Sequence, residues 1–126
     1  MRTVDAPAAA AFLFEEAEAL DIQELMRGHR IAAPAVFVYE LANICQTKSR
    51  RQPAPREALM ASYELLHRLQ IKEYPVEQAE VLALAEATRL THHDASYLWL
   101  SRRLNAPLIT LDRALIAAIK PPPAAP

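Results

Sequence analysis

The chain has 126 residues, 52% hydrophobic and 23% charged, with a formal net charge of -1 and a single glycine. A chain of this length buries roughly two-thirds of its unfolded surface, so one domain with a true core is expected without disulfides or a structural metal. Gly28 stands alone where average usage gives about nine glycines, which excludes a Walker A loop, a dinucleotide fingerprint and a nucleophile elbow.

Short β-like stretches alternate with longer helical ones. Arg2 to Asp5 reads as a brief strand, followed by an Ala-rich helix to about Leu20 and a second helix from Asp21 to Arg27 that stops at Gly28. Ile31 to Ala33 is the next strand, and Pro34 opens a helix through Thr47 as a first-turn proline. After Pro53 and Pro55, Arg56 to Leu69 carries Leu59, Tyr63 and Leu66 at helical spacing, and Ile71 to Tyr74 is a strand. Pro75 precedes a helix over Val76 to Thr88, and Thr91 caps one from His92 to about Leu104. Pro107 to Thr110 is the last strand, Asp112 caps a closing helix to Lys120, and residues 121–126 form a proline-rich tail that cannot continue it.

This alternation predicts a three-layer α/β/α sandwich with a mainly parallel sheet of four or five strands, in one domain over residues 1–120. Cys45, the single cysteine, rules out an intramolecular disulfide and a cysteine-rich zinc site, and is expected as a buried, inert thiol in a reducing cytoplasm. Ala6 to Phe14 is only about half the length of a membrane span, and the chain shows no signal-peptide layout, so a soluble, cytoplasmic protein with no membrane partner is expected. The charge is divided unevenly. Residues 1–47 hold seven acids and three bases, while the rest holds eleven bases and eight acids.

Four acids occupy positions that propensity alone does not favour. Glu40 has Val36, Phe37, Asn43 and Ile44 three and four positions away, on an apolar helical face. An unpaired carboxylate there costs several kcal/mol or stays protonated, unless it meets a cation or a polar cavity or reaches water from the edge of the stripe. Asp5 ends the first strand, where open parallel sheets bind ligands, and is equally placed as a helix N-cap; Asp112 has the same two readings. Asp94 lies in a first helical turn, where the helix dipole favours an anion by about 0.3–1 kcal/mol. Carboxylates converging to ~4 Å repel by several kcal/mol per pair at an effective dielectric of ~20. A cation must then offset them, and hard oxygen donors suit Mg²⁺ or Mn²⁺.

The stretches Thr3-Val4-Asp5-Ala6, Pro34-Ala35-Val36-Phe37-Val38-Tyr39-Glu40-Leu41-Ala42-Asn43, Thr91-His92-His93-Asp94-Ala95-Ser96-Tyr97-Leu98 and Ala106-Pro107-Leu108-Ile109-Thr110-Leu111-Asp112-Arg113-Ala114-Leu115 resemble, in order and spacing, the four acidic motifs of PIN domains. They are most similar to the VapC-type toxins of toxin–antitoxin pairs. The resemblance implies a metal-dependent endoribonuclease with Asp5, Glu40, Asp94 and Asp112 as catalytic acids and Asp5, Asp94 and Asp112 as ligands of Mg²⁺ or Mn²⁺. It further implies that Asn43 and Thr110 orient the acids or waters from behind. A homodimer and inhibition by a small VapB-like antitoxin follow from the same resemblance.

One position departs from the pattern: the family usually has Ser or Thr two residues after its first acid, and here that residue is Pro7. This keeps open a rival reading, a non-catalytic PIN-like protein that binds RNA or a partner. Arg113, Arg102 and Arg51 are candidates for RNA contacts, being near the acids or at the ends of the helices that carry them. His92 and His93 are about 100° apart on a helix, so at most one faces the acids. Tyr63, Tyr74, Tyr97 and Trp99 show no base-stacking spacing and are expected in the core or an interface.

Overall fold

The computed structural model describes residues 1–51 and 56–120. Arg2–Val4 (β1), Ile31–Pro34 (β2), Lys72–Tyr74 (β3) and Leu108–Ile109 (β4) form one sheet in the order β3-β2-β1-β4, with every pair parallel. Thr3 lies opposite Ala32 on one side and Leu108 on the other, and Pro34 lies opposite Tyr74. Strands this short hold few ladder bonds, so the sheet relies on the helices that cover it.

Those helices are Ala6–Leu13 (α1), Ala19–Met26 (α2), Val36–Arg51 (α3), Arg56–Glu64 (α4), Gln78–Thr88 (α5), His92–Leu104 (α6) and Arg113–Ile119 (α7), with a 3-10 turn over Leu65–Leu69. One core joins Val4, Ala33 and Ile109 of the sheet to Ala9, Leu13, Ile22, Phe37 and Leu41 of α1, α2 and α3. A second gathers Val81, Ala85, Leu98 and Leu115 of α5, α6 and α7. The α/β/α sandwich with a parallel four-stranded sheet is thus as expected, and Cys45 is buried as expected.

Several boundaries differ from the sequence expectation. The Ala-rich helix ends at Leu13, not near Leu20, because Glu15 turns left-handed at φ 53° and its neighbours close a Schellman motif, Glu15 N–H to Phe12 O and Glu16 N–H to Ala11 O. Asn105, at φ 50°, ends α6 in the same way, at Leu104 as expected, through Asn105 N–H to Arg102 O and Ala106 N–H to Ser101 O. Pro34 does not open a helix. It is the last residue of β2, and Ala35 N–H continues the ladder to Tyr74 O at 3.1 Å, so α3 begins at Val36 and extends to Arg51 rather than Thr47. The stretch from Arg56 tightens into 3-10 geometry after Glu64, and α5 starts at Gln78 with Glu77 as its cap, not at Val76. Pro53, Pro55 and the tail at 121–126 lie outside the described residues. No described helix is long and apolar enough to cross a membrane.

The chain runs outward from β1 through β2 to β3, then returns to place β4 on the other side of β1. The strand order therefore reverses between β1 and β4, and in open parallel sheets the ligand crevice lies at such a point, beyond the carboxyl ends of the strands. Asp5 follows β1 directly, while Thr110 and Asp112 follow β4.

Candidate active site

Asp5 is buried, with 1% of its surface exposed. Its Oδ1 accepts the Ala8 backbone N–H at 2.9 Å, capping α1, and its Oδ2 accepts the Thr110 hydroxyl. Thr110 Oγ1 in turn accepts the Asp112 backbone N–H at 3.0 Å, and Asp112 Oδ1 caps α7 by accepting Leu115 N–H at 2.9 Å. One hydroxyl thus joins the ends of the two strands that flank the switch point.

Burial is the main force on the Asp5 carboxyl. It pushes the pKa from 3.8 up to about 6, against the hydrogen bonds from Thr110 and Ala8 and with help from the charges of Asp94 and Asp112. Asp94 is half-buried in the first turn of α6, where Thr91 caps the helix by accepting Asp94 N–H at 3.2 Å. Its carboxyl is also pushed up, first by burial and then by the charge of Asp112. The three aspartates therefore act on one another electrostatically across the crevice.

Glu40 is in α3, with 26% of its side chain exposed. Tyr97 of α6 donates its hydroxyl to Glu40 Oε1 at 2.5 Å, and His93 Nδ1 lies 3.6 Å from Oε2. Burial holds the Tyr97 phenol well above the usual tyrosine range, reinforced by the bond to Glu40 and by the charges of Glu40 and Asp5. Glu40 is not stranded on an apolar face: the polar partners its sequence position called for are a phenol and an imidazole. His93 turns toward Glu40 while His92 bonds Gln78 instead, as their angular separation requires.

Tyr97 is expected from the sequence in the core or an interface, with no part in the site. It is buried at 1% exposure, and its hydroxyl serves an acid of the site. The available signal was its place one helical turn after Asp94, on the same face of α6. Asn43, by contrast, is exposed on α3 and bonds none of the four acids among the described residues. It lines the groove between α3 and α4 instead. Arg51, Arg102 and Arg113 are all exposed, and Arg103 covers the Trp99 ring at 5.9 Å.

The donors at the crevice are oxygens of carboxylates, and no lysine or arginine forms an ion pair with Asp5, Asp94 or Asp112 among the described residues. A carboxyl raised first by burial and further by two neighbouring carboxylates, with no basic side chain paired to them among the described residues, is a donor set whose chemistry fits a hard divalent ion. Among the described residues, no three acids, histidines or cysteines stand close enough together to hold one as placed. Asp5 and Asp112 instead direct one oxygen each to a helix cap.

The PIN domain family model matches residues 3–120. The chain belongs to the PIN domain family. PIN domains are generally metal-dependent nucleases. Among solved structures, the crystal structure of PAE2754 from Pyrobaculum aerophilum is 25% identical with a TM-score of 0.76, the match covering 94% of this chain and 79% of that one. Comparison with curated proteins finds no match. As a PIN domain, the chain places Asp5, Asp94 and Asp112 around the crevice at the switch point, with Glu40 bonded to Tyr97 beside it.

Proposed function

We propose that this PIN domain is a divalent-metal-dependent endoribonuclease of the VapC toxin type. The observation that carries the reading is the bonded chain from the buried Asp5 carboxyl through the Thr110 hydroxyl to Asp112, at the point where the strand order reverses. Asp5, Asp94 and Asp112 would hold Mg²⁺ or Mn²⁺. When bound, such an ion supplies Lewis-acid stabilisation of phosphoryl charge and a water that ionises near neutral pH.

The chain's own groups do the positioning. Thr110 holds Asp5 Oδ2, so the Asp5 carboxylate keeps one orientation through turnover. Glu40, pinned by Tyr97, accepts a hydrogen bond from the attacking water and directs it at the phosphodiester. Arg113, Arg102 and Arg51 offset the substrate phosphates, and the products carry 5′-phosphate and 3′-hydroxyl ends. The same reading makes the protein a cytoplasmic homodimer, held inactive by a small VapB-like antitoxin that fills the acidic crevice.

A second reading, a non-catalytic PIN-like protein that binds RNA or a partner, is favoured by the use of Asp5 and Asp112 as helix caps and by Pro7 in the first motif. Incubation of single-stranded RNA with the wild type and with Asp94→Asn separates the two. The nuclease reading expects Mn²⁺-dependent cleavage leaving 5′-phosphate ends, reduced about a hundredfold or more by the substitution. RNA left intact at every divalent-ion concentration, with no ion-dependent change in melting temperature, would establish the second reading.

A further inference from the structure

Beyond the carboxyl ends of β2 and β3, a cavity of about 290 Å³ is walled by Pro34, Pro75, Val76, His92, His93 and Ser96. It adjoins the acids through a shared residue: His93 lines it and also lies 3.6 Å from Glu40 Oε2. We propose that this cavity receives one unpaired nucleobase of the RNA, from a nucleotide next to the bond on which the acids act. The choice of RNA rests on the endoribonuclease reading.

The lining decides the chemistry. It contains no lysine, arginine, aspartate or glutamate, so a phosphate finds no counter-charge there and a basic peptide finds no anion. Its volume lies just below the range of drug-sized ligand cavities, about 300 to 1,000 Å³, and so suits one small ring system rather than a large cofactor. Prolines and Val76 offer flat apolar contact, while imidazoles both stack on a base and bond its edges.

Those polar groups are already oriented. His92 Nε2 bonds Gln78 Oε1 at 2.6 Å, which ties α6 to α5 and fixes the ring. That leaves Nδ1 as the ring nitrogen that can meet the edge of a base. The Ser96 hydroxyl donates to His93 O at 2.5 Å, so its oxygen is left to accept from a ligand. The accepting Ser96 oxygen favours a base that presents an exocyclic amine, as A, C and G do and U does not.

The chain has four histidines, of which His29 and His67 do not line this cavity and serve as internal references. The imidazole resonances are followed by NMR in EDTA, where metal-dependent cleavage does not occur. The probes are single-stranded homotetranucleotides of A, C, G and U and an abasic chain with the same phosphates. The expected result is a saturable shift of His92 and His93 alone, weakest with U among the four bases and absent with the abasic chain. Ala35→Trp fills the cavity from an exposed wall position, and His92→Ala removes one polar wall; each is expected to weaken binding about tenfold. Equal shifts with the abasic chain, no shift of His92 and His93, or unchanged affinity in both folded variants would overturn the proposal. The shift is read apart from RNA cleavage. Binding of bases without cleavage defeats only the nuclease reading, and cleavage without the shift defeats only the cavity.

Discussion

The Thr110 hydroxyl donates to Asp5 Oδ2, joining residues 105 positions apart at the ends of neighbouring strands. The same hydroxyl accepts the Asp112 N–H, so a single side chain sets the orientation of two acids of the site. Both acids also cap the helices that follow them, and this double use couples the stability of α1 and α7 to the geometry of the crevice.

Replacing Thr110 with Val leaves a buried carboxyl oxygen and a backbone N–H without this partner. The expected loss is about 2–4 kcal/mol in urea unfolding, accompanied by a further rise in the Asp5 pKa because a bond that lowers it is gone. Thr110→Ser keeps the hydroxyl and should stay within about 1 kcal/mol of the wild type. A Val variant as stable as the Ser variant would show that the bond contributes nothing.

The pH dependence of stability in EDTA follows from the raised aspartates. Asp5 keeps its proton in the folded state up to about pH 6 but loses it near 3.8 when unfolded, so the folded protein binds more protons across that window. Stability should therefore fall as pH rises from 3.8 to about 6, by roughly 3 kcal/mol from Asp5 alone, with Asp94 adding in the same direction. Saturating Mg²⁺ or Mn²⁺ at pH 7.5 should restore stability, by about 2.7 kcal/mol at a hundred times the Kd. Calorimetry across pH, with and without the ion, checks both signs.

Tyr97→Phe removes the bond to Glu40 with little change in shape. In a double-mutant cycle with Glu40→Leu, the coupling in unfolding free energy should be about 1–2 kcal/mol. RNA cleavage by Tyr97→Phe should fall mainly in kcat, since Glu40 would still be present but less well held. Additive effects of the two substitutions would remove Tyr97 from the site.

Asp112 has two separable duties, the α7 cap and the proposed ion ligand. Asp112→Ser keeps a capping oxygen and should unfold close to the wild type, whereas Asp112→Ala should lose about 1 kcal/mol. Both should lose Mn²⁺ binding, measured by titration calorimetry. Ion binding that survives in the Ser variant would make Asp112 only a cap.

Pro7 is exposed in the first turn of α1, two residues after Asp5. Pro7→Ser supplies a hydroxyl beside the buried carboxyl at a position where the helix tolerates either residue. Mn²⁺ affinity and RNA cleavage should both rise, by several-fold. No change in either would mean that the departure from the family pattern costs the site nothing.

The sequence by itself determined the order of strands and helices, the parallel sheet and the capping positions of Asp5, Thr91 and Asp112, because each depends on local spacing and short-range bonding. The end of α1 was less legible because its left-handed turn uses Glu15 in place of the glycine that normally marks one. Pro34 belongs to β2 because pairing with Tyr74 outweighs a local preference to start a helix. Only the tertiary structure decided that Thr110 holds Asp5, that Tyr97 rather than Asn43 serves an acid, and that two histidines wall a cavity beside Glu40. These contacts join distant parts of the chain, and no local pattern records which side chains meet when helices settle on a sheet. The near-neutral charge count likewise concealed three aspartates drawn to one crevice, a concentration of charge that appears only once β1, β4 and α6 come together.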